Sequence, residues 1–153
     1  MLSVPAQNGP DGQITLHATT VVIDHRALVL AGPSGTGKST LALQMMALGA
    51  VLLADDVTWF TGTGTGTGTG IKAYCPPTLI GQIEARGVGI LNAETCGPTL
   101  VSAIVDLGTP EQERLPPLRT MKLCGRDIPI LHKPATSYLS EILFQYMKYG
   151  RKA

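Results

Sequence analysis

The chain has 153 residues, enough for one domain with a buried core, and its formal net charge is only +1. This balance gives no sign of a nucleic-acid or anionic-membrane partner, and no apolar run approaches the ~20 residues of a transmembrane helix. Its three cysteines, Cys75, Cys96 and Cys124, have neither metal-ligand nor disulfide spacing. We therefore expect reduced thiols and a cytoplasmic protein.

Residue patterning predicts a single α/β domain over residues 14–153, with a mixed sheet and flanking helices. Residues 1–13 precede it as a loose leader that lacks the basic and apolar regions of a signal peptide. The predicted strands, in chain order, are 14–22, 26–31, 50–54, 71–74, 87–91, 100–107, 121–123 and 128–131. The predicted helices are 39–48, 78–85 and 137–149, and residues 108–119 form a predicted surface loop.

Residues 61–70 are five consecutive Thr-Gly repeats. Glycine at every second position makes ordering entropically costly, and the threonines offer no apolar surface to bury. We expect a flexible loop or hairpin tip.

A complete phosphate-binding loop lies between the strand at 26–31 and the following helix. Its sequence, G-x-x-x-x-G-K-[ST], is followed by a helix-like run, an arrangement that directs backbone N–H groups at phosphates. Lys38 is expected to meet the β- and γ-phosphates, and the Ser39 hydroxyl to ligate Mg²⁺. The predicted nucleotide-binding residues here are Gly32, Pro33, Ser34, Gly35, Thr36, Gly37, Lys38, Ser39 and Thr40.

Two adjacent carboxylates end the next predicted strand. Asp55 lies only 17 residues after Lys38, at the place where a P-loop protein needs a carboxylate to hold Mg²⁺ or its water. A second carboxylate, Asp56, allows two roles, one near the metal and one near an acceptor hydroxyl as general base.

These motifs together resemble the HPr kinase/phosphorylase catalytic domain. The loop and Leu53-Ala54-Asp55-Asp56 match that family in order and spacing, and residues 84–91, Glu-Ala-Arg-Gly-Val-Gly-Ile-Leu, are similar to its signature. His17, 15 residues before Gly32, lies where the family carries a histidine. Arg114 resembles the family's loop arginine more weakly.

The resemblance implies a P-loop fold of the HPr kinase/PEP carboxykinase-like type and an ATP- and Mg²⁺-dependent serine kinase. Its acceptor would be an HPr-like phosphocarrier protein of a phosphotransferase system, and phosphorolysis of the phosphoserine is a second implied activity. Carried over by position, Asp55, tuned by a nearby His17, and Arg114 are the expected catalytic residues. Arg86 would join the loop in holding phosphate, and the expected metal-side ligands are Ser39, Asp56 and Glu84.

The chain also departs from the family pattern. Pro33, Thr40 and Asn92 stand where acidic residues are common. The sequence resembles the short proteobacterial form without the N-terminal domain, so metabolite control and phosphorolysis are less firmly implied. A homo-oligomer is expected, without nucleic-acid or membrane partners.

Three other interpretations share the P-loop. An ABC-type ATPase would need a Leu-Ser-Gly-Gly-Gln signature, which is missing from the sequence. A small-metabolite kinase usually carries an arginine-rich lid, for which the only candidate segment is the Thr-Gly tract. A non-catalytic ATP sensor is disfavoured by the retained Lys38, Asp55 and Asp56.

Overall fold

The structure, a computed structural model, describes residues 2–64 and 68–153. The helices are α1 (Lys38–Ala47) and α2 (Leu139–Tyr149). The strands are β1 (Gln7–Asn8), β2 (Ile14–Leu16), β3 (Ala18–Ile23), β4 (Arg26–Ala31), β5 (Val51–Ala54), β6 (Thr58–Gly62), β7 (Ile71–Tyr74), β8 (Gln82–Ala85), β9 (Gly89–Asn92), β10 (Thr99–Pro110), β11 (Thr120–Leu123) and β12 (Arg126–Lys133).

Ten of the strands in the described ranges form one sheet, and β8 and β9 form a separate pair. The main order is β1-β2-β6-β7-β10-β4-β3-β5, with β12 beside β10 and β11 beside β12. β4 is parallel to β10 and antiparallel to β3, which is in turn antiparallel to β5. The predicted α/β fold with a mixed sheet is therefore confirmed, and so is the hairpin turn at Asp24 and His25, where both residues have positive φ.

The strand directions bring several chain ends to one edge of the sheet. Because β3 is antiparallel to both β4 and β5, the ends of β4 and β5 lie at the same edge as the start of β3. β10 runs parallel to β4, with Asp106 opposite Ala31. The P-loop follows β4, the Asp55-Asp56 pair follows β5, and His17 precedes β3. The sheet topology therefore places all three at the same edge.

The central strand β4 contributes side chains to the hydrophobic cores on both faces of the sheet. Leu28 and Leu30 point to one face, where they join a core that includes Met45 of α1 and Leu143 of α2. Val29 points to the other face, into a second core that includes Phe60 and Ile71. Each fully buried aliphatic side chain contributes about 1.5–3 kcal/mol to folding. The two predicted helices therefore flank the sheet as expected, and both pack on the same face.

The predicted helix at residues 78–85 is wrong. Only Pro77–Leu79 form a short 3-10 turn, and Gln82–Ala85 form β8. Gly81 has a φ of 77°, which is incompatible with a right-handed helix at this residue. Ile83 is buried while Glu84 is exposed, which is the alternation of a strand. The Gly87–Gly89 part of the signature therefore forms the tip of a β8–β9 hairpin.

Other predicted boundaries also differ. The strand predicted at 14–22 divides at His17, where the chain passes from β2 to β3 and changes partners from β6 to β4 and β5. The loop predicted at 108–119 is shorter, because β10 continues to Pro110 through pairing with β12. Neither α-helix in the described ranges is long and apolar enough to span a membrane.

The predicted flexible loop at residues 61–70 is only partly open to comparison, since residues 65–67 lie outside the described residues. Thr61 and Gly62 belong to β6, so the loop starts later than predicted. Thr69 Oγ1 donates a 2.7 Å hydrogen bond to the Val101 carbonyl, which ties the far end of the tract to β10.

Candidate functional site

The P-loop joins the end of β4 to the start of α1, as its sequence predicted. Gly35 and Gly37 have φ values of 87° and 88°, the left-handed conformation that glycine adopts at little cost. A Cβ on Gly32 would lie 2.8 Å from Thr36 Oγ1, too close for a side chain. The glycines therefore let the chain wrap tightly and present its backbone to an anion.

Lys38 lies folded across this loop and is buried. Its Nζ donates hydrogen bonds to the carbonyls of Gly32, at 2.8 Å, and Pro33, at 3.1 Å. Burial lowers its pKa, and the nearby carboxylates of Asp56 and Asp55 partly oppose that shift. A phosphate in the loop would give this ammonium group the anionic partner that two neutral carbonyls do not supply.

Asp55 is buried, with 7% of its surface exposed, and is held from three directions. Its Oδ1 accepts hydrogen bonds from Ser39 Oγ, at 2.6 Å, and Thr19 Oγ1, at 2.9 Å. Its Oδ2 accepts one from the Glu84 backbone N–H, at 2.8 Å. Asp55 thereby links the first turn of α1, the start of β3 and the β8 strand at a fixed position.

Asp56 has a contrasting environment. Its side chain is 69% exposed, and the ion-pair contact it makes is with His17, whose Nδ1 lies 3.4 Å from Asp56 Oδ1. Its φ of 68° is left-handed, which aspartate tolerates better than most residues. The family resemblance predicts His17 beside Asp55, whereas the ion-pair partner of His17 is Asp56.

A cavity of about 370 Å³ lies against these groups. Two basic side chains line it, Lys38 and Arg86, together with the carboxylates of Asp56 and Glu84. Glu84 lies on β8 and Arg86 is the first residue of the turn that follows it, and both side chains reach the cavity. The remaining lining residues are Thr19, Ser34, Gly35, Gly37, Ser39 and Thr40.

Sequence comparison identifies the family. The profile of the HPr Serine kinase C-terminal domain matches residues 11–103, more than half of the chain. The chain belongs to this family. HPr kinase/phosphorylase from Azoarcus sp. (strain BH72) is 39% identical over 83 residues, 54% of this chain and 26% of that protein. The protein of the same name from Xanthomonas campestris pv. campestris (strain B100) is 34% identical over 111 residues, 68% of this chain and 34% of that protein.

Structural comparison agrees with the family assignment. The Hpr(Ser) kinase/phosphatase from Coxiella burnetii superposes with a TM-score of 0.73 at 25% identity, covering 88% of this chain and 93% of that chain. The chain spans about a quarter to a third of the length of the curated relatives it matches.

Most of the residues predicted for the HPr kinase site lie together, but Arg114 lies elsewhere. It is exposed on the loop after β10 and lines a groove formed with β12 and α2, away from the cavity lined by the P-loop. The resemblance to the family is weakest at this residue. Because Arg114 lies on an exposed loop, its position in the sequence does not predict where its side chain lies. Gly32, Pro33 and Thr36 of the loop do not line the cavity, and neither do Asp55 and His17, which lie beside it.

Sequence reasoning missed Thr19 and Asp106. Thr19 is fully buried, bonds Asp55, and lies two residues after His17, which is the signal that could have identified it. Asp106 is also fully buried and follows the apolar residues 103–105 in β10, opposite the last residue of β4. Burial opposes its ionisation, but hydrogen bonds from Ser3, Thr109 and Gly108 hold the pKa of Asp106 below its usual value.

Proposed function

We propose that this chain is an ATP-dependent serine kinase whose acceptor is an HPr-like phosphocarrier protein. Membership of the HPr serine kinase C-terminal domain family supports the reaction class, and its curated relatives are named HPr kinase/phosphorylase. The observation that carries the proposal is that two adjacent carboxylates beside the P-loop cavity have different surroundings. Asp55 is tied to Ser39, and Asp56 is exposed beside His17.

ATP would lie in the cavity with its phosphates against the P-loop backbone. The Lys38 ammonium would turn from the loop carbonyls to the β- and γ-phosphates, and Arg86 would face the phosphates from the opposite hairpin. Both cations line the same cavity, so the charge that develops on the transferred group would be neutralised from two sides.

The donor set fits Mg²⁺. Ser39 Oγ, Asp55 and Glu84 offer hard oxygen ligands, and Mg²⁺ is normally held by one or two carboxylates together with substrate phosphates. Within residues 2–64 and 68–153 no group of three or more acidic, histidine or cysteine residues is placed to hold a metal by itself. We therefore propose a metal that binds with the nucleotide, where it would supply charge neutralisation for the phosphates.

The contacts favour the reverse of the carboxylate roles expected from the sequence. Asp55 is bonded to the Ser39 hydroxyl, the P-loop oxygen that ligates the metal in nucleotide-binding proteins, so we assign it to the metal side. Asp56 is exposed at the same cavity, so an incoming hydroxyl can reach it. In the kinase direction, Asp56 would orient the seryl O–H and accept its proton as the oxygen bonds to the γ-phosphorus and ADP leaves.

His17 would act through Asp56. Its ring lies on the corner between β2 and β3, and Nδ1 can donate to the Asp56 carboxylate when that nitrogen carries the proton. In the reverse reaction, a phosphate oxygen would bond to the phosphoserine phosphorus, the seryl oxygen would leave with a proton from Asp56, and pyrophosphate would form.

The test is transfer of label from γ-³²P ATP to purified HPr, with Mg²⁺ present and absent. We expect phosphoserine on HPr, and none on an HPr variant whose acceptor serine is alanine. Adding inorganic phosphate to the labelled product and measuring pyrophosphate tests the reverse direction. ATP binding without transfer to HPr would contradict the proposal and favour a metabolite kinase or an ATP sensor.

A further inference from the structure

A second groove, which we call the flank groove, adjoins the nucleotide cavity. It has a volume of about 360 Å³ and is bounded by residues 4, 5 and 7, residues 15–17 and 32–34, and Val57. Ser34 lines both spaces, and His17, which lines the flank groove, is the ion-pair partner of Asp56 in the nucleotide cavity. The two spaces therefore meet at the P-loop and at the proposed general base.

One wall of the flank groove comes from residues 2–8, which we call the Ser3 segment. Val4, Pro5 and Gln7 line the groove, and the Gln7–Asn8 strand pairs with β2, which leads directly to His17. The profile that identifies the family begins at residue 11, so this wall lies outside the matched range.

Asp106 fastens the start of this segment. Its Oδ2 accepts a 2.7 Å hydrogen bond from the Ser3 backbone N–H, and its Oδ1 accepts one from Ser3 Oγ. Gly108 N–H and Thr109 Oγ1 donate to the same carboxylate, at 3.0 and 2.9 Å. A buried carboxylate with four donors holds its partners at fixed positions.

Gly108 brings the start of the segment close to the P-loop. A Cβ on Gly108 would lie 2.3 Å from Ser3 Oγ and 2.8 Å from Pro33 Cδ, so three chain segments cross closely at this glycine. The position of the Ser3 segment is therefore set relative to the P-loop, and the flank groove between them has defined walls.

We propose that the flank groove binds the segment of the acceptor protein that carries the reacting serine, and that the Ser3 segment forms one side of this acceptor subsite. The inference rests on the proposed kinase function. A chain lying in the groove would place a hydroxyl at the junction where His17 and Asp56 meet the nucleotide cavity.

The charges of the two spaces support separate occupants. The nucleotide cavity is lined by Lys38, Arg86 and acidic side chains, which suit a polyanion and its metal. Of the described residues lining the flank groove, His17 alone has a titratable side chain, and the others are apolar or neutral polar. The groove therefore fits an uncharged, partly apolar peptide segment better than a phosphate or a strongly charged peptide.

Groove filling tests the subsite. Gln7 is exposed and lies on a two-residue strand, so Gln7→Trp adds bulk to the groove without disturbing a core. We expect the KM for HPr to rise by about tenfold or more, with kcat and the Kd for ATP unchanged, because acceptor binding alone is lost. The matched control is Gln145→Trp on the exposed side of α2, which should leave all three values unchanged. Equal KM values in the two variants would overturn the proposal.

A photo-crosslinking amino acid gives a readout that does not need turnover. Placed at position 7, it should capture purified HPr through the peptide that contains the acceptor serine; placed at 145, it should not. Label transfer to HPr without this crosslink would overturn the subsite and leave the kinase function intact. The crosslink without label transfer would support the subsite and contradict the chemistry. Each of these two results would therefore contradict either the subsite or the kinase chemistry, but not the two together.

The fastening can be tested separately. Ser3→Ala removes the hydroxyl donor to Asp106 and keeps the backbone donor. We expect a two- to fivefold rise in the KM for HPr, in line with one lost hydrogen bond, and no change in the Kd for ATP. Ser137→Ala, at an exposed position before α2, is the control. An unchanged KM in Ser3→Ala would show that the hydroxyl contact of Ser3 with Asp106 does not position the wall.

Discussion

Asp55 and Asp56 are chemically identical neighbours with different surroundings. Asp55 is buried and accepts hydrogen bonds from α1, β3 and β8, whereas Asp56 is exposed and has His17 as its ion-pair partner. A carboxylate held on all sides suits a fixed place beside a metal, while an exposed one can receive a proton from an arriving substrate. The comparison shows that burial and hydrogen bonding, and not residue type, separate the two proposed roles.

The largest effect is expected at the exposed carboxylate. Asp56→Asn keeps the side-chain shape and suits the left-handed backbone, because asparagine also tolerates positive φ. It removes the proposed base, so kcat for transfer to HPr should fall by about 10²–10⁴-fold while the Kd for ATP and the Mg²⁺ requirement stay the same. Single-turnover transfer and a Mg²⁺ titration measure these values. Full activity in this variant would remove Asp56 from the chemistry.

The buried carboxylate should give the opposite result. Asp55→Asn turns an oxygen that accepts from Ser39 or Glu84 into an amide donor and removes the negative charge. We expect the Mg²⁺ concentration for half-maximal activity and the Kd for Mg-ATP to rise by about 10–100-fold. A calorimetric titration with and without Mg²⁺ checks this. A pure kcat defect at Asp55, with normal metal dependence, would restore the assignment expected from the sequence.

Asp106 tests whether a buried, multiply bonded carboxylate is required for stability. In Asp106→Asn, the side-chain NH2 group replaces an oxygen that accepts hydrogen bonds, so donors such as the Ser3 N–H or the Thr109 hydroxyl lose their acceptor. We expect a loss of about 1–3 kcal/mol in the free energy of unfolding. The folded-state pKa of Asp106 lies below the unfolded value near 3.9, so its contribution is present above that pH and is lost as the pH falls through the folded pKa. The Tm difference between wild type and variant should stay constant from about pH 7 to 5 and shrink below about pH 4. A difference that grows in acid would contradict this sign.

A smaller effect is expected at Thr19. Thr19→Val keeps the shape of a fully buried residue and removes one donor to Asp55. We expect the Mg²⁺ requirement to rise by about two- to tenfold, corresponding to one hydrogen bond. Thr20→Val is a matched control, because Thr20 is equally buried and bonds the Thr58 hydroxyl instead. Equal effects in the two variants would show that the change acts through stability.

The sequence predicted the parts of the site that depend on contiguous motifs. The P-loop, the Asp55-Asp56 pair and the Glu84–Leu91 signature each have local spacing. The fold brings parts of the P-loop and signature, with Asp56, to one cavity, and Asp55 is bonded to Ser39 and Glu84 beside it. Thr19 and Asp106 were missed because their importance comes from strand register, which a single strand's residues do not encode. The helix predicted at 78–85 failed because tertiary pairing of β8 with β9 outweighed a weak local pattern.

The roles that we propose for the two carboxylates differ from the predicted ones for a similar reason. Two adjacent residues after a strand point to different sides, and which side faces Ser39 depends on the turn that follows. Here Asp56 has a left-handed φ, and Asp55 is the carboxylate directed at Ser39. The identity of both residues was readable from the sequence, while their orientation required the backbone conformation.

The smallest effect should come from His17. Its ion pair with Asp56 is exposed on both sides, at 65% and 69%, and such pairs contribute about 0–1 kcal/mol. His17→Gln keeps a donor of similar reach, so we expect kcat to fall no more than about fivefold and the Kd for ATP to stay unchanged. The double variant with Asp56→Asn should be no slower than Asp56→Asn alone, because His17 acts through that carboxylate. An additive loss in the double variant would mean that His17 contacts the substrate directly and would place it among the catalytic residues.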